Sequence, residues 1–232
     1  MKNKFKTIGF DADDTLWINQ PNYDEIENEY CSLLSNYLSA EEVSEKLYKT
    51  EMQNLSLYGY GAKSFMLSMI ETAVNITNKE ISHHIIIEII KLGKKLINKP
   101  VRLLNGAKEV LKYFSETDIR IILVTKGDLI DQERKLKKSK IGNFFHHIEI
   151  MSDKKESDYL KLLSRLDIEP ERFLMIGNSL KADIIPVLNI GGFGIHIPYH
   201  VNWQHDNVDK IEKHPNLIEL KNITQIINLF SK

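Results

Sequence analysis

Apolar positions change their period twice along this chain. Residues 5–10, Phe-Lys-Thr-Ile-Gly-Phe, make a short apolar run that stops at Asp11-Ala12-Asp13-Asp14, predicting a buried strand with acids at its carboxyl end. Helical spacing follows. Ile26, Tyr30, Leu33, Leu34 and Tyr37 fall on one stripe of an amphipathic helix, and Phe65, Met66, Met69, Ile70 and Ala73 repeat the arrangement. Glu41–Tyr58 and Ser82–Ile97 are read as two more helices, with breaks at Tyr58-Gly-Tyr-Gly61 and at Asn78-Lys-Glu. About four helices over this stretch match the scale of a small bundle.

From Pro100 short apolar runs alternate with helical segments. Helices are predicted at Ala107–Ser115, Asp131–Lys138, Asp158–Leu166, Ala182–Leu188 and Ile223–Phe230. Strands are predicted at Ile119–Thr125, His146–Ile150, Phe173–Ile176, Phe193–Ile197 and Leu217–Leu220. Such alternation indicates a parallel sheet covered on both faces. The expected architecture is therefore α/β: a Rossmann-like doubly wound parallel sheet in residues 1–17 and 99–232, interrupted early by a helical domain over residues 18–98.

Composition narrows the setting. Of 232 residues, 42% are hydrophobic and 27% charged, enough apolar material for a sizeable core. A net charge of −1 provides no global field to attract nucleic acid or anionic lipid. The single cysteine, Cys31, cannot form an intramolecular disulfide and suits a reducing compartment. The most apolar stretch, Ile85–Leu92, is broken by Glu88 and Lys91, short of a membrane span. Lys2, Lys4 and Lys6 run into the first strand and its acids with no signal-peptide core between, so a cytoplasmic protein is expected.

In open α/β sheets ligands bind beyond the carboxyl ends of the strands, and the residues there carry chemistry. Alternate residues of an extended chain point the same way, so Asp11 and Asp13 can face one substrate. One carboxylate can attack phosphorus while the other handles the leaving-group proton. A divalent cation would offset repulsion between carboxylate and phosphate, and hard oxygen ligands select magnesium. Thr125 ends the second strand with a hydroxyl suited to phosphoryl oxygens. The Lys154-Lys155 pair follows the third, and Gly177-Asn178-Ser179-Leu-Lys-Ala-Asp183 follows the fourth with an amide and a carboxylate able to complete a metal site.

In this order the residues resemble the haloacid dehalogenase-like (HAD) hydrolase superfamily. Phe10-Asp-Ala-Asp-Asp-Thr-Leu16 matches its first motif, Val124-Thr125 its second, Lys154 its third and Gly177–Asp183 its fourth, and the helical insert falls where the superfamily places its C1-type cap. The resemblance implies Asp11 as nucleophile and metal ligand. Asp13 would be general acid/base, meeting the metal through its backbone carbonyl. Thr125 would bind the phosphoryl group, Lys154 would stabilise the charge at Asp11, and Asn178 and Asp183 would flank magnesium. Lys154 is preferred to Lys155 because Tyr159, five residues on, matches the aromatic that follows the motif lysine. Asp14 is expected to shape the turn and Thr15 to brace it. Two departures are visible: Asn178 stands where the fourth motif usually carries Asp, and Lys126 stands where many members carry Asn after the motif threonine. Lys126 is a candidate phosphate contact.

The implied activity is phosphatase action on a small phosphorylated metabolite. A phosphomutase resembling β-phosphoglucomutase keeps both aspartates and is the alternative; metal-independent dehalogenases lack the second aspartate. A non-enzymatic binding protein would be expected to have lost Asp11, Asp13 or the motif lysine, and none is lost. His83-His84, His146-His147, His196, His200 and His205 offer no helical HxxxH pair backed by a third ligand, and doublets on strands point to opposite faces, so no histidine metal site is expected.

Overall fold

The computed structural model describes residues 4–200 and 213–231. In chain order the elements are β1 (Thr7–Phe10), α1 (Gln20–Leu33), α2 (Ala40–Tyr58), α3 (Ala62–Ile76), α4 (His83–Asn98), α5 (Ala107–Ser115), β2 (Arg120–Lys126), α6 (Leu129–Ser139), β3 (His147–Met151), α7 (Glu156–Arg165), β4 (Phe173–Gly177), α8 (Ile185–Asn189), β5 (Phe193–His196), β6 (Leu217–Glu219) and α9 (Gln225–Phe230).

The strands form one sheet in the order β3-β2-β1-β4-β5-β6, and every pairing is parallel. Central β1 is bordered by β2, with Phe10 opposite Leu123, and by β4, with Phe10 opposite Ile176. The chain winds outward from β1 in both directions, so the switch point where a doubly wound sheet binds ligands lies between β1 and β4.

The side-chain period of two sorts each strand between two cores. Ile8, Phe10, Ile121, Leu123, Leu174 and Ile176 pack with Val110, Leu111 and Phe114 of α5 and Ile226 and Phe230 of α9. Their alternates Ile122, Val124, Phe173 and Met175 pack with Tyr159, Leu162 and Leu163 of α7 and Val187 of α8. Gly9 belongs to this second face, where a Cβ would lie 2.7 Å from Phe173 Cζ and 2.9 Å from Met175 Sδ. Asp11 has the parity of Gly9, and its N–H continues the ladder by donating to Ile176 O at 2.9 Å. Its carboxylate is thereby turned to the α7/α8 face.

By contacts the chain divides into two units: Met1–Gln20, Val101–Lys126 and Gln132–Lys232 form one, and Pro21–Pro100 with Gly127–Asp131 the other. The second is built on α1 to α4, whose core includes Ile26, Tyr30, Leu34, Val43, Leu47, Phe65, Met69, Ala73 and Ile89. Tyr30 donates its hydroxyl to Met69 O at 2.8 Å, tying α1 to α3. Gly93 lets α4 approach α3, since a Cβ there would lie 2.4 Å from Met66 Sδ.

Two local expectations change. The α1 stripe extended to Tyr37, but the helix ends at Leu33 because Ser39 caps α2 in a capping box with Glu42, and the chain must reverse in between. Ala182–Leu188 is not one regular helix: a π-helical turn, Leu180–Ile184, precedes α8. Among the described residues no helix is long and apolar enough to cross a membrane.

Candidate active site

Beyond Phe10 the chain makes a tight turn in which Asp14 adopts a left-handed conformation, φ 59°. Its carboxylate accepts Asn19 N at 2.8 Å and Gln20 N at 2.9 Å, holding the entry to α1. Burial raises this carboxyl to about 7 against the pull of those N–H groups. Asp14 is thus committed to shaping the turn.

Asp11 is 6% exposed. Its Oδ1 receives Lys154 Nζ at 2.5 Å, and its Oδ2 receives the Thr15 hydroxyl at 2.9 Å. Thr15 Oγ1 also lies 3.1 Å from Asn178 Oδ1 and accepts Asn178 N at 3.1 Å, joining the turn after β1 to the turn after β4. Lys154 precedes α7 and has a second partner, Asp183 Oδ1, at 2.6 Å. Both carboxylates and the ammonium are buried. Burial raises the Asp11 carboxyl to about 7, Asp183 adds repulsion, and Lys154 only partly offsets them. Burial disfavours the Lys154 ammonium, but Asp11 and Asp183 hold its proton more tightly than an ordinary lysine would. Lys155, by contrast, is exposed and pairs with Asp153 at 3.0 Å.

The irregular turn after β4 places Asp183. Asp183 Oδ2 accepts Ser179 N at 3.0 Å and its own N–H donates to Ser179 O at 2.9 Å, within the π-helical turn. Gly177 makes room for it. A Cβ there would lie 2.2 Å from Asp183 Oδ2 and 2.6 Å from Asp183 Cβ, so rotating the carboxylate would not relieve the clash. Gly177→Ala is expected to cost about 1–3 kcal/mol through overpacking and to pull Asp183 off Lys154. Thermal melts and turnover measured together check this; a variant with wild-type values for both would show the approach to be slack.

Asp13 belongs to a different set of partners. Its Oδ1 accepts Trp17 Nε1 at 2.6 Å and Lys135 Nζ at 2.8 Å; its Oδ2 accepts Gln132 Nε2 at 2.8 Å and Lys135 Nζ at 2.9 Å. Burial pushes this carboxyl up, but Lys135, Gln132 and Trp17 together hold it below its ordinary value.

Thr125 is 1% exposed near the end of β2, and its buried hydroxyl has no hydrogen-bond partner among the described residues. Lys126 ends the strand, and its carbonyl accepts Gln132 Nε2 at 2.9 Å. The structure therefore gathers Asp11, Thr15, Lys154, Asn178 and Asp183 into one network. It leaves Asp13 in its own cage and the Thr125 hydroxyl outside both. Among the described residues no three His, Cys, Asp or Glu side chains converge as a metal cluster. His196 is buried at the end of β5, with Nε2 3.0 Å from Asn178 O. His205 lies outside the described residues.

Sequence reasoning missed Gln132 and Lys135. They sit in Asp131-Gln-Glu-Arg-Lys135, which reads as an ordinary charged helix face, and only the fold brings them to Asp13. Trp17 was missed as well, although the four-residue spacing from Asp13 across a turn was a usable clue.

These features match a known group. The haloacid dehalogenase-like hydrolase profile matches residues 5–191. The chain belongs to that family and is a hydrolase by membership. A haloacid dehalogenase-like family hydrolase from Xanthomonas campestris is 37% identical, with 94% of this chain and 87% of that one covered at a TM-score of 0.85. The L-2-haloacid dehalogenase from Xanthobacter autotrophicus shares the fold at a TM-score of 0.68 and 11% identity, covering 98% of each chain. A glyceraldehyde 3-phosphate phosphatase from Pyrococcus abyssi is 32% identical over 92 residues, 37% of this chain and 38% of that protein. The matched stretch is thus well under half the length of that curated relative.

Proposed function

We propose that this protein is a magnesium-dependent phosphatase that hydrolyses a small phosphomonoester through an aspartyl phosphate on Asp11. The observation that carries the reading is Asp11 itself: a buried carboxylate after the central strand, with one oxygen on Lys154 and the other on Thr15. The Thr125 hydroxyl on the neighbouring strand, without a partner among the described residues, supports it, because a buried donor of that kind suits an incoming phosphoryl oxygen. Asp13 disfavours metal-independent dehalogenation. The Pyrococcus abyssi phosphatase supports a small phosphorylated metabolite as substrate.

The donor set fits a hard divalent cation. Asp11 Oδ2 and Asn178 Oδ1 converge on one hydroxyl, and Asp183 adds a second buried negative charge. Asp11, the Asp13 carbonyl, Asn178 and Asp183 would hold magnesium, which supplies positive charge against the phosphoryl oxygens. The Asn178 amide brings no charge of its own, so the two carboxylates carry that balance.

An Asp11 oxygen attacks phosphorus and the bond to the ester oxygen breaks; the leaving oxygen takes a proton from Asp13, which must first have acquired it against the pull of Lys135, Gln132 and Trp17. Water then attacks the aspartyl phosphate, gives a proton to Asp13, and phosphate departs as the Asp11 carboxylate is regenerated. Lys154 stays protonated and faces the charge on Asp11 throughout. Thr125 donates to a phosphoryl oxygen, and Lys126 adds positive charge beside it. The helical insert is read as the substrate-selecting cap domain, and a cytoplasmic setting suits the single cysteine.

Release of p-nitrophenol from p-nitrophenyl phosphate tests the reading. Activity is expected with magnesium, lost in EDTA, and restored when magnesium is returned. Hydrolysis unaffected by EDTA would overturn the metal assignment, and no phosphate released from this ester or a panel of small phosphomonoesters would overturn the activity.

A further inference from the structure

Asp13 is the only proposed catalytic group whose carboxylate is held largely by one distant helix. A carboxylate has about four lone-pair directions, and four donor contacts between 2.6 and 2.9 Å reach the two Asp13 oxygens. Trp17 is four residues away, whereas Gln132 and Lys135 are separated from Asp13 by 119 and 122 residues. These last two stand one turn apart on α6, immediately after the loop that follows Thr125.

Each also has a second partner that anchors it. Gln132 Nε2 donates to Lys126 O at 2.9 Å, linking Asp13 to the end of β2. Lys135 Nζ donates to Asn19 Oδ1 at 2.8 Å, linking Asp13 to the residue that enters α1. Gln132 is 4% exposed, and its Oε1 has no hydrogen-bond partner among the described residues. Leaving a buried acceptor unpaired costs about 1–3 kcal/mol, so folding stability alone does not account for an amide at this position.

We propose that Lys135 and Gln132 are positioning residues that fix the Asp13 carboxylate for proton transfer to the leaving group. The proposal rests on Asp13 being the general acid of the phosphatase reading. A general acid contributes about 10²–10⁴-fold only while it is within hydrogen-bond reach of the leaving atom, and an aspartate on a tight turn has two torsions free to carry it away. The four contacts remove that freedom while Asp13 is a carboxylate, and one oxygen must release a donor when it carries the proton to be transferred, the remaining contacts keeping the group in place. The contribution should be felt by esters whose leaving alkoxide needs a proton and much less by p-nitrophenyl phosphate, whose leaving phenolate is already stable.

The test compares Lys135→Met, Lys135→Arg and Gln132→Leu with wild type, using kcat/KM for an alkyl phosphate and for p-nitrophenyl phosphate. Lys135→Met is expected to lose at least about tenfold more on the alkyl ester than on the aryl ester, by loss of general-acid assistance. The loss should appear in kcat with KM little changed; Gln132→Leu should show the same split more weakly, and Lys135→Arg should recover part of it. Equal losses on both esters would indicate a packing role and overturn the proposal. A gain on the alkyl ester would show that the contacts hold Asp13 out of use, and would overturn it equally. A crystal structure of Lys135→Met decides independently of turnover: Asp13 should leave its position on Trp17, and an unmoved carboxylate refutes the positioning role. Asp13→Asn separates the two levels, because full activity of that variant on the alkyl ester sinks the general-acid reading whatever Lys135 does.

Discussion

Asparagine at position 11 should abolish turnover while leaving the fold at least as stable as wild type. The amide keeps the size of the carboxylate but is not a nucleophile, and losing a covalent nucleophile costs on the order of 10⁴-fold or more. Stability should move the other way. Burial and Asp183 raise the Asp11 carboxyl from 3.8 to about 7, so ionising it opposes folding. The folded state then binds more protons at this site than the unfolded chain between those two values. Stability from this group is present below pH 3.8 and is lost as pH rises through about 7. Asp11→Asn removes that loss and leaves Lys154 paired with Asp183. Melting temperatures in EDTA should therefore be equal only below about pH 3.8, with the variant's advantage growing through pH 5 and complete by pH 8. An inactive variant that is also unfolded would leave Asp11 with a structural role alone; an active one would remove it as nucleophile.

Methionine at Lys154 should damage both stability and activity. It preserves most of the buried stem but strips the cation from between two buried carboxylates, 2.5 Å and 2.6 Å from Nζ. Breaking a buried ion pair by removing one partner costs about 3–5 kcal/mol, which for a chain of this size lowers Tm by on the order of 10 °C. The loss should deepen with pH, because at low pH one of the two facing carboxyls takes a proton and the repulsion disappears. Adding Asp11→Asn to Lys154→Met should recover part of the stability and none of the activity. Melts of the four species at pH 5 and pH 8 form the cycle that isolates the coupling. A recovery of zero would mean that the lysine stabilises the fold through its stem rather than its charge.

Much of this molecule was legible before the fold was known. The runs Ile119–Thr125 and Phe173–Ile176 are apolar on both faces, which only a doubly covered parallel strand requires, and both became strands beside β1. Lys154 could be preferred to Lys155 through Tyr159, and the fold buries the first while leaving the second paired at the surface. Where the reading slipped, the cause was local chemistry overriding a periodic pattern. A capping box ended α1 early, and the turn that houses Asp183 replaced a regular helix with a π-helical one.

The sequence by itself determined the α/β order, the helical insert and the acids, hydroxyl and lysine at strand ends, because all of these follow from hydrophobic period and from residues adjacent in the chain. Only the tertiary structure decided that Asp11 shares its lysine with Asp183 and that Asp13 is caged by Gln132 and Lys135. Those contacts span between 29 and 143 residues. Contacts across such separations leave no period to read, since they exist only after the parallel sheet has set its strand ends side by side.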